Sequence, residues 1–204
     1  MKVIGLIGAV GSGKDTIAEY LSETKWYDRY AYASKVKDVA AIVFSWNREM
    51  LEGTTPKSRK WREEIDPYWN ITPRQALQKI GTEMFRNHLD PDVWVKALVR
   101  ELEVISNSRK VVITDCRFVN EVNAVKDMGG VIIYVQRGSE PEWIDKAINA
   151  LSDPDSPDHE YFKNNNIHYT DWSIYALKSQ ADYIIKNDGT FDELYDEVDK
   201  LEFI

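Results

Sequence analysis

Eight consecutive residues, Gly8-Ala9-Val10-Gly11-Ser12-Gly13-Lys14-Asp15, combine backbone freedom with one well-placed cation. They read G-x-x-x-x-G-K, with Thr16 following. Glycines at 8, 11 and 13 let successive N–H groups curl inward around an anion, and a following helix adds its positive end. Lys14 is then set to reach the β- and γ-phosphates of a nucleotide. The chemistry implied is the binding of a polyphosphate. Asp15 stands where a Ser or Thr hydroxyl ordinarily meets Mg²⁺. It either acts on Mg²⁺ through water, together with Thr16, or favours the first helical turn electrostatically.

The elements that must position this loop are visible on either side. Val3-Ile4-Gly5-Leu6-Ile7 is an apolar run of strand type, and a helical pattern follows from Thr16. Strands are expected at Lys2–Ile7, which contains that run, and at Tyr30–Ala33, Lys110–Thr114, Val131–Gln136 and Tyr183–Ile185, with helices between them. That alternation predicts an α/β fold with a central parallel sheet of about five strands. Thr72-Pro73-Arg74-Gln75 starts one helix with an N-cap, a Pro at the first position and a capping box, and Thr190 to Glu193 repeats the pattern. The chain is read as a single domain, 1–204. Two stretches break its alternation: 47–71, polar and aromatic, and 138–170, rich in Pro, Asp and Asn. They are either a substrate-side insertion and a lid, or surface loops.

Other residues that could do chemistry fall at element ends. Asp115 follows a buried-strand run, where an acid could hold Mg²⁺ through water, orient an acceptor or cap a loop. Arg117 offers a planar fork for phosphate, or an ion pair with Glu121 four positions on. Lys35 and Lys37 flank the start of the second helix, as ligand contacts or as solvated surface. Arg74 and Gln78 lie one turn apart, suited to a phosphate and a base edge or simply to an amphipathic helix. Gly81-Thr82 interrupts that helical pattern. Trp94 is a stacking face or a core residue, beside Lys96. The three histidines, His88, His159 and His168, have no metal-ligand spacing with acids or Cys116, so no protein-built metal site is expected.

The chain has 204 residues, 43% of them hydrophobic, enough for a real core. Its net charge of −8 and lack of a basic run argue against a nucleic acid polymer as partner. The single cysteine excludes an internal disulfide and fits a reducing cytosol. No stretch approaches the roughly 18 apolar residues of a membrane span, and the start reads as a core strand, not a signal peptide. A cytoplasmic protein is expected. Seven tryptophans and eleven tyrosines are compatible with a homodimer patch.

The order of these blocks resembles the deoxynucleoside monophosphate kinases of large tailed bacteriophages. The resemblance rests on Gly11-Ser12-Gly13-Lys14-Asp15-Thr16, Lys37-Asp38, Arg74-Gln75-Ala76-Leu77-Gln78 with Gly81-Thr82-Glu83, Trp94-Val95-Lys96, Thr114-Asp115-Cys116-Arg117 with Asn120-Glu121, and Asn187-Asp188-Gly189-Thr190. It implies a P-loop kinase three-layer sandwich that transfers the γ-phosphate of ATP, with Mg²⁺, to a deoxynucleoside monophosphate. Gly8, Gly11 to Thr16, Arg137, Asn187, Gly189 and Thr190 would hold ATP. Lys37, Arg74, Gln78, Gly81, Thr82, Trp94, Lys96, Asp115, Arg117 and Glu121 would face the acceptor, and Lys14, Asp115 and Arg117 would be catalytic. Where the family has a His-x-Ser-Glu-like segment, this chain has His168-Tyr169-Thr170-Asp171. Rival readings are a kinase for another small acceptor, dephospho-coenzyme-A-like or phosphomevalonate-like, and a non-catalytic nucleotide switch.

Overall fold

An unbroken apolar strand can be buried on both faces only if helices cover both, and the first strand meets that condition. A computed structural model describes residues 1–105 and 108–202. In chain order it contains β1 (Lys2–Ile7), α1 (Lys14–Lys25), β2 (Tyr27–Tyr30), α2 (Ala33–Phe44), α3 (Arg48–Glu52), α4 (Pro56–Glu63) and α5 (Pro73–Gln78). A π-helical turn (Lys79–Met84) leads to α6 (Val93–Glu103), β3 (Lys110–Ile113), α7 (Val119–Asp127), β4 (Val131–Gln136), α8 (Ile144–Ser152), α9 (Pro157–Asn164) and α10 (Tyr169–Ala176). A 3₁₀ turn (Leu177–Gln180), β5 (Tyr183–Lys186) and α11 (Phe191–Asp199) complete it. The chain condenses as two compact units, 1–31 with 105–204, and 32–104.

The first unit holds a five-stranded parallel sheet in the order β2-β3-β1-β4-β5. Side chains alternate across it. Ile4, Leu6, Val112, Ile133, Val135 and Ile185 form one core with Ile17, Ala18 and Leu21 of α1 and Leu194 and Val198 of α11. The other face meets α7: a Cβ on Gly5 would lie 3.1 Å from Val125 and 3.1 Å from the Cys116 sulfur. Helix, sheet and helix make the three layers expected. The second strand departs from the expectation Tyr30–Ala33: it ends at Tyr30, and Ala33 opens α2. Its sequence, Tyr27-Asp28-Arg29-Tyr30, is polar because β2 is an edge strand paired only with β3.

Within the same unit, 138–170 is built as helices. Ser156 caps α9 by accepting from the His159 N–H, with Pro157 at the first position. Phe162 stacks on Trp172 at 4.8 Å, and Ala147, Ala150 and Ala176 pack around them in a small aromatic core.

The second unit contains 47–71, also largely helical. Thr55 and Ser58 form a capping box around α4, again with Pro at the start. Trp46 stacks on Phe44 at 4.4 Å and donates its indole N–H to Asp66 at 2.8 Å. The helix from Pro73 does not stop at Gly81. It widens into the π turn, with Phe85 N–H bonding Ile80 C=O and Asn87 N–H bonding Thr82 C=O, five residues apart.

Candidate active site

The loop between β1 and α1 is shaped by what surrounds two of its glycines. Gly8 (φ +154) lies against the sheet: a Cβ there would sit 2.4 Å from the Val135 carbonyl oxygen. Gly13 is the left-handed N-cap of α1 (φ +104), and a Cβ there would sit 2.3 Å from the Asn187 amide nitrogen. Asn187 follows β5, is buried, and donates Nδ2–H to the Ser12 carbonyl at 2.8 Å. Ser12 is itself buried, its N–H bonds the Ala9 carbonyl at 3.1 Å, and its hydroxyl has no protein partner. Gly11 is at the exposed apex. The loop is thus clamped from β4 and from the residue after β5.

Lys14 bends back over this loop, with Nζ donating to the carbonyls of Gly8 at 2.8 Å and Ala9 at 2.7 Å. Burial, and next the nearby Arg117 guanidinium, pull its pKa down to about 8, against the weaker opposite pull of Asp15 and Asp115. A desolvated ammonium bonded to neutral carbonyls, with a second cation close by, is a site that an anion would stabilise. Thr16 sits half-buried in the first turn of α1. Asp15 is exposed and pairs with Arg29 of β2 at 3.3 Å.

Asp115 reaches this region because the chain after β3 keeps to β1: the Cys116 N–H bonds the Leu6 carbonyl at 3.2 Å. The Cys116 thiol is buried, and that burial pushes its pKa well up, as suits a packing residue. Arg117 and Glu121 do not form the ion pair that their spacing allows. Glu121 is buried, and one carboxylate oxygen accepts the main-chain N–H of Arg117 at 2.7 Å and of Phe118 at 3.1 Å. It closes the start of α7, while the Arg117 guanidinium reaches the Thr170 carbonyl at 3.5 Å. Thr190 is occupied as the N-cap of α11, with Glu193 reciprocating. Gly189 is exposed beside it, and Arg137 is exposed just beyond β4.

The candidates of the second unit fall into separate local sets. Lys37 pairs with Glu52, which also holds Arg48. Burial alone would raise the Glu52 carboxyl, but the bonds from Lys37 and Arg48 win and hold it below its usual range. Arg74 pairs with Glu63 at 3.2 Å and Lys96 with Asp90. Trp94 is buried, its indole N–H on the Gly81 carbonyl at 2.8 Å and its ring 5.0 Å from Phe85. It fastens the π turn. Gln78 and Thr82 are half-buried in the same helical run. The residues that sequence reasoning passed over are Arg29, hidden by the misplaced strand, and Ser173, a serine in α10 with no motif around it. The acid groups leave no cluster of three or more His, Cys, Asp or Glu suited to a metal among the described residues. No helix among them is long and apolar enough to cross a membrane.

Comparison with known proteins bears out the resemblance. The family model for deoxynucleotide monophosphate kinase matches residues 54–152. A protein of Acanthamoeba polyphaga mimivirus carrying that family's name is 27% identical, over 97% of this chain and 94% of its own. The deoxynucleotide monophosphate kinase of Escherichia phage RB69 is 25% identical, over 98% and 99%. Among solved structures, a dephospho-CoA kinase from Campylobacter jejuni aligns with a TM-score of 0.49 and 15% identity, over 98% of this chain and 97% of that one.

Proposed function

We propose that this relative of the deoxynucleotide monophosphate kinases transfers the γ-phosphate of ATP to a deoxynucleoside 5′-monophosphate, giving the diphosphate. The observation that carries the reading is Lys14, a desolvated cation folded over a glycine loop at the start of a helix, with Arg117 near enough to depress its pKa. Phosphoryl transfer asks for positioning and charge neutralisation more than for covalent chemistry. Lys14 and the curled amides would hold the ATP phosphates, and Arg117 would meet the charge that develops on the transferring group. The acceptor is already an anion, so Asp115 would orient rather than deprotonate it. The residues at hand fit Mg²⁺ as a nucleotide-borne ion: Thr16 and Asp115 would hold it through water, while Asp15 is engaged with Arg29. When bound, the ion would neutralise part of the charge on the phosphates.

The test is ADP release with ATP and Mg²⁺ over all common nucleoside and deoxynucleoside monophosphates, with dephospho-coenzyme A and phosphomevalonate alongside. Turnover with deoxynucleoside monophosphates, and no partner protein, is expected. Turnover with only another acceptor, or ATP binding with no turnover, would replace this reading by one of its rivals.

Lys37 and Arg74 are proposed to bind the acceptor phosphate, which would take the place of the Glu52 and Glu63 carboxylates. Lys37→Ala and Arg74→Ala should each raise KM for the deoxynucleoside monophosphate about tenfold or more, with KM for ATP nearly unchanged. Initial-rate kinetics varying one substrate at a time would check this.

The lowered Lys14 pKa also predicts a proton linkage. In the free protein the group loses its proton near pH 8, and bound phosphates would hold that proton on. ATP binding should therefore take up a proton above about pH 8, read by calorimetry in buffers of different ionisation enthalpy. The sign for folding is the reverse of a salt-bridged lysine. Between about 8 and the usual value of 10.5 the unfolded chain binds more protons at this group, so its contribution to the stability of the free protein grows as pH rises.

A further inference from the structure

We infer that Ser173 is the positioning residue for Arg117, fixing where that guanidinium stands beside the phosphate-binding loop. The inference rests on the reading of that loop as a triphosphate site. Ser173 is fully buried in α10, among Trp172, Ile174 and Ala176. A hydroxyl sealed among apolar groups is costly unless bonded. A mid-helix serine ordinarily satisfies itself on its own helix, at the carbonyl four residues back. This one leaves its helix and donates to the Arg117 carbonyl at 2.8 Å, across 56 positions of sequence.

That bond completes a clamp. The Glu121 carboxylate of α7 takes the Arg117 N–H, and the Ser173 hydroxyl of α10 holds its C=O. The guanidinium itself reaches the Thr170 carbonyl at the start of α10. Next door, Phe118 stacks on Tyr169 at 4.9 Å. Beside Ser173 on α10, Trp172 and Ala176 pack into the core that carries α8 and α9. One helix therefore anchors the segment 144–164 and holds the main chain of the arginine whose charge is felt at Lys14. A shift of that segment would be felt at Arg117 through Ser173.

The test is a double-mutant cycle in the full chain: Ser173→Ala, Arg117→Ala and both together, with kcat and the equilibrium Kd for ATP as readouts. Ser173→Ala should lower kcat about tenfold and weaken ATP binding several-fold. In the Arg117→Ala background the same change should move either readout less than about twofold. Urea unfolding serves as the structural control, because a residue that only packs would lower stability and both readouts equally in either background. Equal losses in both backgrounds, or no loss in the first, would overturn the inference. If alanine at 173 prevents folding, Ser173→Cys keeps the volume with a weaker donor, and the same non-additivity decides. If the wild-type protein releases no ADP with any acceptor, the kinase reading fails separately, and the cycle in ATP affinity still decides on Ser173.

Discussion

Lys14→Ala is expected to lower kcat by about 10²–10³-fold while leaving the fold intact. The kinetic loss follows from where the charge sits. An ammonium stripped of water acts on a developing phosphoryl charge far more strongly than a solvated one, and burial is the leading reason that the Lys14 pKa falls to about 8. The stability effect should be small because two terms oppose each other. The change removes the bonds to the Gly8 and Ala9 carbonyls, each worth about 1 kcal/mol net. It also removes a desolvated cation held near Arg117, which relieves the free protein. Thermal unfolding without nucleotide should therefore move by only a few degrees, while the stabilisation by ATP expected of the proposed site should be absent. Undiminished ADP release from well-folded Lys14→Ala protein would contradict the assignment of the loop.

Gly8→Ala should be strongly damaging for a single added methyl. The added carbon would stand 2.4 Å from the Val135 carbonyl oxygen and 2.7 Å from the Ser12 hydroxyl. The serine could turn away. The carbonyl could not, because β4 is tied into the sheet between β1 and β5. Backbone strain and forced displacement together should cost on the order of 2–4 kcal/mol. Nucleotide affinity should fall with it, since the first amides of the curl would be re-aimed. Gly11→Ala is the matched control: a Cβ there meets nothing within 4 Å, and only the left-handed backbone (φ +79) opposes it. Its cost should stay near 1 kcal/mol. Urea unfolding and ATP titration of the two variants should rank them in that order.

The glycine loop between β1 and α1 could be read from sequence because everything that shapes it is contiguous: a buried strand, three glycines, a lysine and a helix. β1 and β4 stand at the residues expected, since both are apolar runs buried on two faces. β2 was displaced because an edge strand carries polar residues and loses the signal. The helices inside 47–71 and 138–170 were missed for a different reason. Thr55-Pro56 and Ser156-Pro157 carry the same start signal as Thr72-Pro73, but turn-forming residues around them hide it. The site was legible only as far as local spacing reaches. Four positions between Arg117 and Glu121 suggested an ion pair, whereas the carboxylate is spent on main-chain N–H groups. The Asn187 bond to Ser12 and the Ser173 bond to Arg117 join residues far apart in the chain, and no pattern of neighbours announces them.

The strand order has a consequence for assembly. β1 lies at the middle of the sheet, yet its partners are β3, in register from Lys2 to Lys110, and β4, from Ile4 to Val131. Closing the first of these pairings in an unfolded chain costs about 4 kcal/mol of loop entropy, less once residues 32–104 have condensed on their own contacts. The curl at residues 8–13 needs Val135 and Asn187 as its walls, so it is among the last features a nascent chain can finish. A polypeptide halted on the ribosome before those walls emerge would therefore lack the contacts that hold the loop in this shape.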